Sequence, residues 1–309
     1  MRIVFLGSGA FGIPTLEALA RRHEVVAVVS QPDKPAGRGK ALTPTPIAAR
    51  AAELGIPVLK PADVNEASVR DAVRGFAADA WVVIAFGQKL SRELLDGVFA
   101  INLHGSLLPA YRGAAPIQRA VMDGCAETGV SVISLAERMD AGLVYATRAR
   151  AIGARETSDE VHDQLSLLGP EAIEWVLAQH AAGALVGSVQ DEALATRARK
   201  LSKAEATVDL AELDARTARA RINGLNSWPG CTVLIGGLQA KLLRVEECDG
   251  GAGAPAVLGA DGVVATRAGA IRILEIQPVG GRGMPIAEFL NGRPKLVGAA
   301  IRPFTPPVS

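Results

Sequence analysis

The chain has 309 residues, 49% of them hydrophobic and 21% charged, which is enough apolar surface to core two domains and excludes a wholly disordered chain. Its 33 basic and 32 acidic residues leave a net charge of +1, so a generally basic coat for nucleic acid is excluded and only local patches remain for such contacts. No apolar run approaches the roughly 18 residues of a membrane helix, and three cysteines without a CxxC pair supply neither a disulfide framework nor a cysteine zinc site.

Residues 2–6 read at once as a buried strand rather than a secretory leader, so a cytoplasmic protein without membrane association is expected. A glycine-rich turn follows, then a helix over 14–22 opened by Pro14, whose missing N–H would be unpaired in a first turn anyway. The pattern then alternates. Strands are expected at 24–30, 57–59, 80–85, 99–103 and 130–135, and helices at 47–54, 66–77, 91–96, 114–122 and 158–182. Short apolar strands separated by helices predict an α/β, doubly wound, mostly parallel (Rossmann-like) sheet covered on both faces.

Near residue 187 the pattern changes. Residues 187–206 are polar, and Arg197, Arg199, Lys200 and Lys203 follow one another without an acid between them. After one amphipathic helix over 211–225 come short strand candidates at 232–235, 240–245, 263–265 and 270–276, separated by glycine-rich turns. That spacing predicts a smaller C-terminal β-barrel of the OB type. The expected organisation is a catalytic domain over 1–187, a linker over 188–206 and a C-terminal domain over 207–309.

Gly7-Ser8-Gly9-Ala10-Phe11-Gly12 matches the dinucleotide-binding GxGxxG pattern between a strand and a helix. The second strand, however, ends Ser30-Gln31-Pro32, without the acid that would hold a ribose. A close strand-to-helix turn is expected here, and no NAD. His23, His104, His162 and His180 are scattered without ligand spacing, and no metal is expected.

The richest segment runs Asn102-Leu103-His104-Gly105-Ser106-Leu107-Leu108-Pro109. Strand alternation puts Asn102 and His104 on one face, at the carboxyl end of a parallel strand, where open α/β sheets bind ligands. Asparagine can donate to a developing oxyanion, and histidine exchanges protons near neutral pH. Considered alone, His104 reads first as a buried, hydrogen-bonded strand-end residue.

The surrounding words change that balance. Asn102-x-His104, the Ser106 to Pro109 segment, Arg112-Gly113-Ala114-Ala115-Pro116 and Met139-Asp140-Ala141-Gly142 together resemble the folate-dependent formyltransferases. The resemblance implies Asn102, His104 and Asp140 as catalytic residues. It implies 10-formyltetrahydrofolate as donor, held by Ser106, Leu107, Leu108 and Pro109 and by the loop of Phe86, Gly87, Gln88 and Leu90. Two positions depart from the family pattern: Ala110 replaces a basic residue, and Ala141 stands after the catalytic Asp where threonine is usual.

Segments outside this core resemble the family members that formylate the methionine of initiator methionyl-tRNA. They are the loop Gln31-Pro32-Asp33-Lys34-Pro35-Ala36-Gly37-Arg38-Gly39-Lys40, the word Lys200-Leu201-Ser202-Lys203, and Asn226-Ser227-Trp228-Pro229-Gly230. The resemblance implies tRNA contacts at Lys34, Arg38, Lys40, Lys200 and Lys203, and a chain acting as a monomer. Residues 205–309 carry 11 basic and 10 acidic side chains, so RNA held there would depend on clusters such as Arg216, Arg219 and Arg221. The alternatives are a sibling enzyme formylating a glycinamide ribonucleotide or an amino sugar, and an NAD-dependent oxidoreductase built on the glycine motif.

Overall fold

A computed structural model describes residues 1–36, 41–250 and 253–304. The chain divides into two compact units whose segments interleave in sequence. The first comprises Met1–Arg112, Gly129–Arg150 and His162–Arg197, and the second Gly113–Thr128, Ala151–Val161 and Ala198–Ser309.

The first unit is built on a seven-stranded sheet. From one edge its strands run Val58–Leu59, Glu24–Val29, Arg2–Gly7, Ala80–Ile84, Ala100–His104, Glu127–Ser134 and Val144–Ala151. The first five are mutually parallel, and Glu127–Ser134 joins antiparallel to Ala100–His104. Strands buried on both faces explain the continuous apolar runs of the sequence: Ile3, Val4, Phe5 and Leu6 are all fully buried. This is the doubly wound, mostly parallel sheet expected.

The glycine motif serves packing. A Cβ at Gly7 would stand 2.6 Å from the Phe5 ring and 2.9 Å from the Ile84 carbonyl, and one at Gly12 would touch Phe5, Ile47 and Ile84. These glycines let the turn settle on the neighbouring strand.

In the first unit one helix and the edge strand differ from expectation. The helix expected over 158–182 is two helices, Ser158–Ser166 and Gly169–Ala181. Pro170 in the first turn of the second helix lacks the N–H that would continue the first. The edge strand Val144–Ala151 was not expected; its exposed Thr147 and Ala149 and half-buried arginines give it no apolar run.

In the second unit, Cys231–Ile235, Leu238–Cys248, Val263–Ala265, Ala270–Pro278, Met284–Pro285 and Ile301–Pro303 form a curled antiparallel sheet. Val257 bridges Ala300 and Leu258 bridges Val264, so this segment joins the two outer strands and closes an OB-like barrel. Gly236 and Gly237, at φ 55° and 90°, make the two-residue hairpin between the first two strands. Val233, Ile235, Leu242, Ile273 and Phe289 fill the interior and are fully buried. The helix expected over 211–225 begins later, at Ala215–Gly224, because the Asp214 side chain caps it by accepting from the Thr217 N–H at 2.8 Å.

Candidate active site

The strand Ala100–His104 sorts its side chains by alternation. Ile101 and Leu103 are buried on one face, which leaves Asn102 and His104 on the other. The register fixes this placement: Asn102 lies between Val83 and Ile133, and His104 opposite Ser131. Asn102 is half-buried, and among the described residues its side-chain amide has no hydrogen-bond partner. A polar group in that state, at the carboxyl end of a central strand, is available to a ligand.

His104 is in the opposite condition. Its ring is 6% exposed and held from both sides. Nε2 lies 2.9 Å from the Tyr111 carbonyl oxygen, and Nδ1 lies 3.6 Å from Oδ2 of Asp140. A carbonyl only accepts, so Nε2 donates the hydrogen to Tyr111, and Nδ1 faces the Asp140 carboxylate. Both partners are in unusual backbone conformations, Tyr111 at φ 61° and Asp140 at φ 54°. Such left-handed non-glycine residues each cost about 1–3 kcal/mol, which the surrounding structure must offset.

The loop carrying Asp140 is closely restrained. A Cβ on Gly142 would overlap the Ser134 carbonyl oxygen, so this position requires glycine. Leu143 N–H donates to Ser134 Oγ at 2.9 Å, and Ser134 N–H donates to the Leu143 carbonyl at 2.9 Å. Gln190 donates from Nε2 to the carbonyls of Asp140 and Gly142, at 2.8 and 2.7 Å. Arg112 in turn donates to Gln190 Oε1 and to Glu192, which Arg138 also contacts. Hydrogen bonds from Arg112 and then Arg138 pull the Glu192 carboxyl down to about 2.

The residues expected to hold folate fall into two groups. Ser106 is fully buried and spends its hydroxyl on the Ala110 carbonyl at 2.6 Å, closing its own turn. Ser131 braces that turn, donating to the Ser106 carbonyl and accepting from the Leu108 N–H. Phe86 lies in the core with Trp81 and Leu94, and Leu90 packs against the same cluster. Gln88 bridges the Val64 N–H and the Pro61 carbonyl, at 2.8 and 3.1 Å. The side chains of Ser106, Phe86 and Gln88 are therefore committed to the fold. The exposed backbone at Gly87 and the half-buried Leu107 and Pro109 remain, on two loops that leave adjacent strands. Both segments fall in loops, but the sequence does not distinguish inward from outward side chains within them.

Of the basic residues expected to meet tRNA, Lys34 is exposed on a short strand, Lys34–Ala36, paired with Ala41–Thr43. Arg38 and Lys40 lie outside the described residues. The base of this loop is tied to the sheet by hydroxyls: Ser30 Oγ and Thr45 Oγ1 are 2.6 Å apart, and Ser8 Oγ accepts from the Gln31 N–H at 3.1 Å. In the second unit Lys200 and Lys203 are exposed, with no ion pair among the described residues. The arginine cluster is different. Arg219 pairs with Glu247 at 2.7 Å, and Arg221 donates to the Thr207 and Glu205 carbonyls, which leaves Arg216 as the exposed member. Sequence spacing shows charge but not these engagements.

Among the described residues, no group of three or more His, Cys, Asp or Glu side chains is placed to hold a metal, and no helix is long and apolar enough to cross a membrane.

Comparison with known proteins gives the family of the chain. Residues 1–177 match the family described as formyl transferase, and residues 200–294 match its C-terminal domain. The methionyl-tRNA formyltransferase of Moorella thermoacetica is 40% identical over 306 residues, covering 96% of this chain and 98% of that protein. A sugar 3N-formyltransferase, WlaRD, solved with dTDP and 5-N-formyl-THF, shares the fold with a TM-score of 0.68 at 12% identity, covering 91% of this chain and 99% of that one. HypX from Aquifex aeolicus, solved with tetrahydrofolic acid, shares it with a TM-score of 0.65 at 19% identity; the match covers 96% of this chain and about half (48%) of HypX. This chain belongs to the formyltransferase family, and within it to the methionyl-tRNA formyltransferases.

Proposed function

We propose that this enzyme transfers the formyl group of 10-formyltetrahydrofolate to the α-amine of methionine carried by initiator tRNA. One observation carries the chemistry: a strand-end asparagine with an unengaged amide shares a face with a histidine held between a carbonyl and a carboxylate. The likeness to methionyl-tRNA formyltransferases along both domains supports the acceptor.

The reaction needs three things from the protein. The attacking amine forms a C–N bond to the formyl carbon, and the carbonyl oxygen becomes an oxyanion. The Asn102 amide donates a hydrogen bond to that oxygen, where charge develops in the transition state. The amine proton must leave as the bond from the formyl carbon to the folate nitrogen breaks. His104 Nδ1 takes it, because Nε2 is already occupied in donating to Tyr111. Asp140 then stabilises the charged ring from 3.6 Å, and the proton passes on to the departing nitrogen.

The loops bearing Gly87 and Leu107 to Pro109 are the proposed folate contacts, and the committed side chains of Ser106, Phe86 and Gln88 shape them from behind. Lys34, Arg38, Lys40, Lys200 and Lys203 are the proposed phosphate contacts. Within this reading the catalytic domain covers 1–187, the linker 188–206 and the RNA-holding domain 207–309, acting as a cytoplasmic monomer.

The test supplies 10-formyltetrahydrofolate with four acceptors in parallel: initiator methionyl-tRNA, elongator methionyl-tRNA, a glycinamide ribonucleotide and an amino-sugar nucleotide. Formyl-methionine on the initiator tRNA is the expected product. Formylation of a small amine in preference to the tRNA would instead make the enzyme a sibling of different specificity.

A further inference from the structure

Gln190 lies in the stretch that the sequence marks as a polar connector, yet its side chain is only 7% exposed and every hydrogen-bonding capacity of its amide is used. Oε1 accepts from Arg112 Nε at 3.0 Å and from Arg112 Nη2 at 2.8 Å. Nε2 gives one hydrogen to the Asp140 carbonyl and the other to the Gly142 carbonyl. The direction of the amide is not arbitrary. A guanidinium only donates and a carbonyl only accepts, so just one of the two amide orientations satisfies all four contacts.

These bonds close a circuit through the reacting pair. Arg112 directs Gln190, Gln190 holds the Asp140 backbone, and the Asp140 carboxylate meets His104 Nδ1. His104 Nε2 donates to Tyr111, the residue immediately before Arg112. The same turn therefore positions the histidine directly and the aspartate through Gln190. Asp140 needs such support because its φ of 54° is disfavoured for a residue with a side chain.

The geometry points to Gln190 as a positioning residue for formyl transfer, one that holds the Asp140 loop so that its carboxylate stays on His104. This rests on the reading of His104 and Asp140 as the proton-handling pair. If Gln190 merely fastened the connector, its loss would lower stability and leave turnover per folded enzyme unchanged.

Two full-length variants test the inference. Gln190→Glu keeps the shape and still accepts from Arg112, but turns acceptor oxygens toward the Asp140 and Gly142 carbonyls. Gln190→Met keeps the length, removes both donors and adds no charge, which guards against a folding failure peculiar to the glutamate. Misplacing a catalytic group by about 1 Å costs on the order of 10²-fold, so kcat per folded enzyme should fall about that far, with KM for both substrates within about threefold.

A second readout is independent of activity. In ¹⁵N-histidine-labelled protein, with the His104 signals assigned through His104→Ala, both Gln190 variants should shift the His104 ring nitrogens. Wild-type kcat in a folded variant, or unmoved His104 ring signals, overturns the inference. If wild-type protein fails to formylate any acceptor, the functional reading fails, and the ring signals still decide whether Gln190 positions Asp140 against His104.

Discussion

Replacing Asn102 with alanine separates catalysis from stability more cleanly than any other change at the site. The Asn102 amide has no partner among the described residues and is half-buried, so its removal strands no protein donor or acceptor. With no polar partner stranded, the stability loss should stay near the roughly 1 kcal/mol typical of point substitutions. The catalytic effect should be large. Losing one preorganised oxyanion donor lowers kcat by about 10²–10³-fold, or about 2.7–4 kcal/mol of transition-state stabilisation. Because the bond strengthens only as charge develops on the oxygen, KM for either substrate should change little. Asn102→Asp should be at least as damaging, since an ionised carboxylate only accepts and would repel the oxyanion. Steady-state formylation of methionyl-tRNA gives the kinetic terms, and urea unfolding of the same preparations gives stability. A kcat within threefold of wild type, or a loss matched by destabilisation of several kcal/mol, would show the amide to be structural.

Gly142→Ala places a methyl group against the Ser134 carbonyl oxygen, and overpacking of this kind costs about 1–3 kcal/mol; urea unfolding should show that loss together with reduced kcat. The Glu192 carboxyl has a sign-defined pH signature. Its value is depressed from the usual 4.5 to about 2, so the pairing with Arg112 and Arg138 adds stability above about pH 4.5 and loses it as pH falls toward 2. The stability difference between wild type and Glu192→Gln should therefore be fully present near neutrality and vanish near pH 2; a difference that grows on acidification would contradict it.

Much of the architecture was legible because burial leaves a simple trace. Strands covered on both faces read as apolar runs, and Asn102 with His104 falls on one face through period-two alternation alone. Asp140 was singled out through the family resemblance of its local word, and the structure sets its carboxylate 3.6 Å from His104 Nδ1. What stayed hidden depends on three-dimensional pairing. Gln190 reads as connector because its four hydrogen bonds join residues far apart in sequence. Phe86 and Gln88 lie in a loop that looks ligand-facing, yet one packs into the core and the other bridges Pro61 and Val64. Arg219 and Arg221 look like an RNA patch until their partners, a carboxylate and two backbone carbonyls, are seen. The edge strand Val144–Ala151 escaped for the opposite reason: it buries little, so it carries little hydrophobic signal.

Formyl transfer by this site is tested by following radiolabelled formyl from 10-formyltetrahydrofolate into initiator methionyl-tRNA, with wild type and His104→Ala side by side in single-turnover reactions. Label on the methionine amine is expected with wild type, and transfer slowed by at least about 10²-fold when the imidazole is removed. Label absent from methionine in the wild-type reaction, or a His104→Ala rate equal to wild type, would contradict it.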